Sequence, residues 1–172
     1  MPQNPLITLI IAGLSPVAIH CIEIAQMLKI PTIVVDHREE IIMDFQKNQP
    51  HIADFVTLER SIPAHYIAFN SLTKESAVVA LTHDPLIDDP SMISALATPA
   101  FYLGVMGSKI NSEAMFTRLR SQTSFDEAAL SRIHAPIGLP IGSQATPEIA
   151  LSIIAQIVAH KNGLIHDRST PL

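Results

Sequence analysis

The chain has 172 residues, of which 48% are hydrophobic and 16% are charged, and its formal net charge is −5. That length is typical of one domain with a real buried core, and the low charged fraction argues against a disordered chain. The negative charge and the scattered basic residues provide no positive surface for nucleic acid, which excludes nucleic acid as the default partner.

The N-terminal segment MPQNP lacks the basic region and the cleavage site of a signal peptide. The longest apolar run, residues 6–13, is far shorter than the roughly 20 residues that cross a bilayer. We therefore expect a soluble, cytoplasmic protein with no membrane partner.

The predicted elements alternate between short β-branched runs and amphipathic segments, which indicates a parallel sheet flanked by helices. The runs predicted as strands are 6–12, 32–36, 76–82 and 100–106. The segments predicted as helices are 17–29, 38–47, 88–97, 109–121, 126–132 and 147–161. Residues 51–75 are expected to be a weakly structured connection with a brief strand or helix near 65–69. Together these elements predict a three-layer, doubly wound α/β domain with a Rossmann-like sheet over residues 1–163, followed by a loose tail over 164–172.

Two helices carry specific expectations. Before the first helix, Ser15 supplies an N-cap and Pro16 the first helical position. Within that helix lies Cys21, the single cysteine of the chain, which excludes an intramolecular disulfide and a paired-cysteine motif and is expected to be a small buried hydrophobe. In the helix over 109–121, the side chains expected to face inward are Ile110, Met115, Phe116 and Leu119.

The first candidate site is the turn GLSPVA after the first strand, residues 13–18. A dinucleotide-binding fingerprint needs G-x-G-x-x-G/A after a strand and an acid about 20 residues later, and Gly13, Ala18 and Asp36 satisfy three of those positions. Ser15 stands where the second glycine belongs, and Pro16 removes one N–H that would hold a phosphate. The turn therefore predicts either an NAD(P) site formed by Gly13, Ser15 and Asp36 or a Rossmann turn that no longer binds a dinucleotide.

Two further candidates follow the strands predicted over 76–82 and 100–106, whose carboxyl ends meet at one edge of a parallel sheet. His83 and Asp84 could orient a proton donor or acceptor, although an aspartate before a proline is also an ordinary turn residue. Gly107, Ser108 and Lys109 open a helix with a hydroxyl, an ammonium group and free N–H groups, which suits a phosphate or a carboxylate. The alternative for these three residues is a plain N-cap.

The fourth candidate is the loop HAPIGLPIG at residues 134–142. Gly138, Gly142 and two prolines make a stiff loop that is suited to shaping a pocket. His134 could donate to a ligand or bond a backbone carbonyl. The chain has no G-x-S-x-G nucleophile elbow and no GxxxxGK[ST] phosphate loop. The residues by themselves therefore predict a ligand-binding α/β domain with no assigned metal site, and they leave open whether it is an enzyme.

Three blocks of sequence occur in a recognisable order: THDPLIDDPSMISAL (82–96), FYLGVMGSKINSEAMFTRLR (101–120) and SRIHAPIGLPIGSQATPEIALSIIAQIVAHKNG (131–163). They resemble the signature blocks of the xanthine dehydrogenase accessory proteins, the XdhC/CoxI family. The resemblance covers residues 6–163 and is weakest over 44–72. It implies a Rossmann-like domain that helps to mature molybdenum hydroxylases, binding molybdenum cofactor and supporting its sulfuration together with a cysteine desulfurase.

The resemblance implies a cofactor pocket formed by matching positions. These positions are His83, Asp84, Gly107, Ser108, Lys109, His134, Gly138 and Gly142. Members of the family also carry an N-terminal domain with a glycine- and cysteine-containing motif, and their usual GxGH turn reads GLSP here. The expected arrangement has the cofactor phosphate at Ser108 and Lys109, and a pocket wall made by His83, Asp84 and the loop 134–142.

Three functions are open at this point. The leading one is a non-catalytic accessory protein, a chaperone that binds molybdenum cofactor (molybdopterin) and docks on a molybdenum hydroxylase such as xanthine dehydrogenase. The second is an NAD(P)-dependent oxidoreductase, and the third is a Rossmann module that only docks on partners. The high apolar content leaves room for an interface, and hence for a homo-oligomer such as a dimer, but composition does not locate it.

Overall fold

The computed structural model describes residues 6–169, whose strands form one parallel sheet with helices on both faces. The strands are β1 (Thr8–Ala12), β2 (Thr32–Asp36), β3 (Thr57–Arg60), β4 (Ser76–Ala80), β5 (Tyr102–Val105) and β6 (Ile133–His134). Their order across the sheet is β3-β2-β1-β4-β5-β6, and every pairing is parallel. The winding reverses between β1 and β4, which makes this the topological switch point of a doubly wound fold.

Helices connect the strands and return the chain to the same edge of the sheet. Within the described residues they are α1 (Pro16–Met27), α2 (Glu39–Asn48), α3 (Pro50–Ala53), α4 (Pro63–Phe69), α5 (Pro85–Leu96), α6 (Lys109–Gln122), α7 (Glu127–Leu130) and α8 (Thr146–Lys161). Because all strands are parallel, their carboxyl ends lie together. The segments that follow β1, β4, β5 and β6 therefore share one edge, which we call the carboxyl edge.

Both faces of the sheet are buried. Successive side chains of a strand point to opposite faces, so Leu9 and Ile11 pack with α1 and α8 while Ile10 and Ala12 pack with α5 and α6. Burial on both faces explains why the strands are continuous apolar runs rather than alternating ones. Cys21 lies fully buried in α1, as predicted, and burial raises the pKa of its thiol to about 12.

The sequence predicted most of this architecture. The three-layer doubly wound fold is confirmed, as is the strand over 32–36, and β1, β4 and β5 lie inside the runs predicted for them. The cap of α1 is confirmed as well: the Ser15 hydroxyl accepts the N–H of Ala18 at 3.1 Å, and Pro16 begins the helix.

One local prediction is incomplete and one is wrong. The brief element expected near 65–69 is present as α4, but the connection 51–75 also contains α3 and β3. Strand β3 was missed because it lies at the edge of the sheet with its side chains exposed or half-buried, so it lacks the apolar run of a central strand. Ile110 is 78% exposed in the first turn of α6 instead of facing inward, whereas Met115, Phe116 and Leu119 are buried as expected.

Residues 164–169, the first part of the expected tail, pack against the domain. Ile165 is buried, and the guanidinium carbon of Arg168 lies 3.9 Å from the centroid of the Phe116 ring. The N–H of Arg168 also donates to the carbonyl of Ser131 at 3.2 Å. Residues 170–172 of that tail, and the N-terminal MPQNP, lie outside the described residues. No helix that the structure describes is long and apolar enough to cross a membrane.

Candidate functional site

The turn after β1 keeps the backbone geometry of a nucleotide-binding turn. Gly13 has a φ of +91°, and a Cβ there would lie 2.0 Å from Cγ2 of Thr82, so glycine alone fits. The Ser15 hydroxyl already accepts a hydrogen bond from the N–H of Ala18, and Pro16 has no N–H. The first turn of α1 therefore offers fewer free N–H groups to a phosphate than a G-x-G-x-x-G turn does.

Asp36, the acid expected to bind a ribose, is bound by Arg38 instead. Its Oδ1 accepts the backbone N–H and the Nε–H of Arg38, both at 2.9 Å, and its Oδ2 accepts the N–H of Leu14 at 2.7 Å and a guanidinium N–H of Arg38 at 2.6 Å. Arg38 also donates to the carbonyl of Leu14 at 2.8 Å. Burial alone would raise the pKa of Asp36, but these hydrogen bonds outweigh burial and lower that pKa. Of the two alternatives for this turn, the arrangement favours a Rossmann turn that does not bind a dinucleotide, because Arg38 already binds the Asp36 carboxylate.

The turn after β4 places His83 and Asp84 at the carboxyl edge, as predicted. His83 is exposed and has a φ of +62°, a left-handed conformation that few residues other than glycine adopt. Asp84 is the N-cap of α5, because its Oδ1 accepts the N–H of Leu86 at 2.9 Å. Its own N–H donates to Oγ1 of Thr82 at 3.0 Å. The Asp84 carboxylate is therefore engaged in capping, whereas the His83 ring is available at the edge.

A cleft of about 530 Å³ opens at the carboxyl edge between the turn after β5 and the loop after β6. Its lining, which defines the central cleft, comprises His83, Met106, Gly107, residues 136–143, Ile149 and Ser152. Gly107, Gly138 and Gly142, all singled out in the sequence, thus meet His83 at one place. The apolar side chains of Met106 and Ile137 contribute to the same walls.

Gln156 of α8 holds the loop of the central cleft against the domain. Its Oε1 accepts the Tyr102 hydroxyl at 2.6 Å and the N–H of Gly138 at 2.8 Å, and its Nε2 donates to the Gly138 carbonyl at 3.4 Å. Gly138 has a φ of +101°, and a Cβ there would lie 2.4 Å from Oγ of Ser152. The shape of the loop is therefore set by α8 and β5 as well as by its own glycines and prolines.

Ser108 and Lys109 begin α6 directly after Gly107. The Ser108 hydroxyl is the N-cap and accepts the N–H of Asn111 at 3.1 Å. By the geometry of a helix start, the N–H groups of Lys109 and Ile110 have no partner within the helix. Lys109 is exposed and lines a depression that shares Pro136 with the central cleft, rather than the cleft itself.

His134 does not line the central cleft, although the sequence analysis expected it in the pocket wall. Its ring is 2% exposed, stacks on Tyr102 with centroids 4.8 Å apart, and meets His160 edge-on at 5.4 Å. Burial and, secondarily, the nearby His160 lower the pKa of His134 to about 4, so the imidazole is neutral at pH 7. Among the buried side-chain nitrogens and oxygens of residues 6–169, its Nε2 alone has no hydrogen-bond partner.

A smaller cavity of about 150 Å³ adjoins the central cleft, and His83 and Met106 line both. This side cavity lies between the first turns of α5 and α6. Its polar lining residues are His83, Asp88, Asp89, Asn111, Ser112 and Arg118. Asp88 and Asp89 carry no signal in the local sequence, because acids near a helix start are ordinary dipole-stabilising residues and nothing there shows that these two are buried.

The two acids of the side cavity differ in their partners. Asp89 forms a two-pronged ion pair with Arg118, at 2.5 and 3.1 Å. Asp88 is 3% exposed, and its Oδ1 accepts the Thr82 hydroxyl at 2.6 Å and, more weakly, the Thr82 N–H at 3.4 Å. Burial outweighs these bonds and raises the pKa of Asp88 to about 6. Asp88 is therefore a buried carboxylate that is stabilised by Thr82 and by the backbone N–H of His83 rather than by an ion pair.

The strand order, the glycine turn after β1 and the clefts beyond β4, β5 and β6 define a Rossmann-type α/β domain with its candidate site at the carboxyl edge. Residues 9–157 match the XdhC Rossmann domain, and the chain belongs to this family.

Individual relatives extend the comparison. A xanthine dehydrogenase from Bacillus halodurans, known from a crystal structure, superposes with a TM-score of 0.75 at 24% identity, over 97% of this chain and 46% of that one. The GsuK channel bound to NAD superposes with a TM-score of 0.51 at 12% identity, over 68% of this chain and 21% of that one. The uncharacterized protein YqeB of Escherichia coli K12 is 31% identical over 75 residues, which are 44% of this chain and 14% of YqeB. The chain thus spans less than half the length of these relatives, and the two structures share its fold.

Proposed function

We propose that this chain binds molybdenum cofactor in the central cleft and assists its delivery to a molybdenum hydroxylase of the xanthine dehydrogenase type. The observation that carries the proposal is the meeting of His83, Gly107, Gly138 and Gly142 in one cleft. That cleft lies at the carboxyl edge, where folds of this class bind their ligands. In this role the chain is a cofactor chaperone rather than an enzyme.

The central cleft fits a cofactor that combines a pterin with a phosphate. Gly142 has open space where a side chain would stand, and Gly107 has no neighbour closer than 3.5 Å there, so both leave room for a flat ring. Met106 and Ile137 offer apolar contact. In the depression that shares Pro136 with the cleft, the first turn of α6 presents free N–H groups and the Lys109 ammonium to a phosphate. The pterin would therefore lie in the central cleft and the phosphate in this neighbouring depression.

The protein would hold this cofactor by its organic part. Among residues 6–169 no group of three or more His, Cys, Asp or Glu side chains is arranged to hold a metal ion. When bound, the cofactor supplies a molybdenum–dithiolene centre for the hydroxylase to use. The residues of this chain would bind the phosphate, orient the pterin and exclude water from its apolar face.

Sulfuration would require a sulfur donor outside this chain. Cys21 is the single cysteine of the chain. It is fully buried in α1, and burial raises the pKa of its thiol to about 12, so it is neither accessible nor ionised at neutral pH. We therefore assign the sulfur transfer to a partner such as a cysteine desulfurase, acting on cofactor that this chain presents.

The carboxyl edge also carries apolar surface suited to a protein partner. Leu86 in α5 is 85% exposed, Ile110 in α6 is 78% exposed, and Ile141 in the loop is 54% exposed. Exposed large apolar side chains near a ligand site are typical of interaction surfaces. This surface would dock on the hydroxylase and bring the central cleft to the place where the cofactor is received.

The proposal is tested by mixing the purified protein with molybdenum cofactor and measuring the cofactor retained after gel filtration. We expect retention by the wild type and about a tenfold weaker affinity for Lys109→Ala, since a charged hydrogen bond contributes about 1.5–3 kcal/mol. Lys47→Ala, at the exposed end of α2, is the matched control. Failure of the wild type to retain cofactor would contradict the proposal, and equal binding by Lys109→Ala would remove the phosphate assignment alone.

The same preparation distinguishes the dinucleotide alternative. Because Arg38 already occupies Asp36, we expect no rise in melting temperature with NAD or NADP. A ligand that binds the native state at 100 times its Kd adds about 2.7 kcal/mol of stability, which is a visible shift. A shift with NAD or NADP and none with molybdenum cofactor would make the chain a dinucleotide-binding protein instead.

A further inference from the structure

The side cavity lies next to the central cleft, and its lining includes both hydrogen-bond acceptors and donors. His83 and Met106 line both spaces, and we infer that a ligand in the cleft extends a ring into the cavity. The volume of about 150 Å³ is several times that of one water molecule and suits a single six-membered ring. The cavity is therefore a pocket for part of a ligand rather than for a whole one.

Asp88 supplies the acceptor. Both bonds from Thr82 end on Oδ1, and the backbone N–H of His83 also stabilises this carboxylate. Because an ionised carboxylate has about four acceptor sites, Asp88 keeps acceptor capacity for donors from the cavity. Asp89 cannot serve in the same way, because Arg118 already binds both of its oxygens. Although burial raises the pKa of Asp88 to about 6, this carboxyl is mostly ionised at pH 7.5.

Asn111 supplies the donor. It lies in the first turn of α6, is exposed, and lines the side cavity together with Asp88. Its side-chain amide carries two N–H donors. The cavity thus presents an anionic acceptor on the α5 side and an amide donor on the α6 side.

We propose that the side cavity recognises a 2-amino-4-oxopyrimidine edge, with Asp88 accepting the ring N–H and the 2-amino group and Asn111 donating to the 4-oxo group. Two adjacent N–H donors facing a carboxylate form the same kind of paired hydrogen bond as a guanidinium does. The proposal rests on the proposed function, because it makes the pterin of that cofactor the source of the edge. Guanine carries the same edge and is the alternative source.

The experiment compares ligands that differ in this edge alone, using intrinsic pterin fluorescence at pH 7.5. Lumazine has an oxo group where pterin has the 2-amino group, so it lacks one donor for Asp88. We expect the wild type to bind pterin at least tenfold more tightly than lumazine. Equal affinities would overturn the assignment, and this comparison needs no variant that has to fold.

Two variants locate the effect. Asp88→Asn replaces an acceptor by an amide whose N–H groups oppose those of pterin, and we expect at least a tenfold loss of pterin affinity with little change for lumazine. Asp44→Asn, on the exposed face of α2, changes the net charge equally and should leave both affinities unchanged. A parallel loss for both ligands in Asp88→Asn would indicate a structural role for this acid and overturn the recognition role.

The outcomes separate this inference from the proposed function. Retention of molybdenum cofactor without discrimination between pterin and lumazine would refute the role of Asp88 and keep the proposed function. Tighter binding of pterin than of lumazine, without retention of molybdenum cofactor, would support recognition by Asp88 and refute the chaperone role. Tight binding of GMP over XMP, with no binding of pterin, would support the edge and refute the pterin as its source.

Discussion

The hydroxyl of Tyr102 in β5 donates to Oε1 of Gln156 in α8 at 2.6 Å, inside the core. The same oxygen accepts the N–H of Gly138 at 2.8 Å. One buried amide therefore ties the loop of the central cleft to the sheet and to the last helix, so the cleft is part of the rigid core of the domain.

We expect Gln156→Leu to destabilise the protein. The change leaves the Tyr102 hydroxyl and the Gly138 N–H without partners, and each unsatisfied buried group costs about 1–3 kcal/mol. Tyr102→Phe removes one donor and should cost about 1 kcal/mol. Urea unfolding measures both values, and the double variant should lose less than their sum. Strict additivity would show that the two side chains are not coupled.

Arg38→Ala should also destabilise the fold, because it leaves the buried Asp36 carboxylate without its cation. We expect a cost of about 1–3 kcal/mol, below the roughly 3–5 kcal/mol of a fully buried pair, because the Arg38 side chain is 30% exposed and Asp36 keeps two backbone N–H donors. Arg38→Lys should not restore the wild-type value, since the single nitrogen of lysine cannot match the two guanidinium nitrogens that reach Asp36 and Leu14. Adding Asp36→Asn to Arg38→Ala should not recover the loss in thermal unfolding, because both oxygens of Asp36 accept backbone N–H groups and the amide NH2 would oppose one of them. A double variant more stable than Arg38→Ala would contradict this account.

Asp88 should make the protein less stable as the pH rises through its folded-state pKa. Burial raises that pKa from 3.8 to about 6, so the folded state takes up a proton more readily than the unfolded state between these values, and stability falls from pH 4 to pH 7. The full effect is about 3 kcal/mol, at 1.36 kcal/mol per pKa unit. Groups that face Asp88 are Asp89, His83, Arg118 and Arg38.

The measurement for Asp88 is urea unfolding of the wild type and Asp88→Asn at pH 7, 5.5 and 4. Asparagine does not titrate, whereas the facing groups are common to both proteins and cancel in the difference. We expect Asp88→Asn to be more favourable, relative to the wild type, at pH 7 than at pH 4. A difference that is constant with pH would show that Asp88 titrates normally.

His134 should act in the opposite direction. Its pKa falls from 6.5 to about 4, chiefly through burial, so the stability contributed by the neutral ring is present above pH 6.5 and is lost as the pH falls towards 4. The full loss is about 3 kcal/mol. His134→Phe keeps a flat ring against Tyr102 and removes the titration, so its unfolding free energy should fall less than that of the wild type between pH 6.5 and 4. Parallel pH curves would contradict the shift.

The exposed apolar side chains at the carboxyl edge give a test of docking. Leu86→Ser and Ile110→Ser should weaken capture of a molybdenum hydroxylase by the immobilised protein, because they remove apolar area from the proposed interface. Their melting temperatures should stay within about 2 °C of the wild type, since exposed sites rarely change stability by more than about 0.5 kcal/mol. Leu164→Ser, equally exposed after α8, is the control. Undiminished capture by Leu86→Ser and Ile110→Ser would place the interface elsewhere.

The sequence by itself predicted the doubly wound fold because its central strands are buried on both faces and are therefore uniformly apolar. It predicted the helix start at Ser15 because capping depends on a few adjacent residues. It also predicted that His83, Gly107, Gly138 and Gly142 belong together, since parallel strands bring their carboxyl ends to one edge. Strand β3 was not predicted, because an edge strand does not need an apolar run.

Tertiary structure decided the rest, because it depends on neighbours that are distant in the chain or on which way a side chain points. The spacing from Gly13 to Asp36 predicted that Asp36 could bind a ribose, but in the folded protein Arg38 binds this carboxylate. The direction of a strand side chain buries His134 against Tyr102 and keeps it out of the cleft. In the local sequence, Asp88 is an ordinary acid in the first turn of a helix. It becomes a buried carboxylate beside a cavity because α5 packs against α6. Local sequence determines elements and caps, whereas burial and charge partners arise when the elements pack.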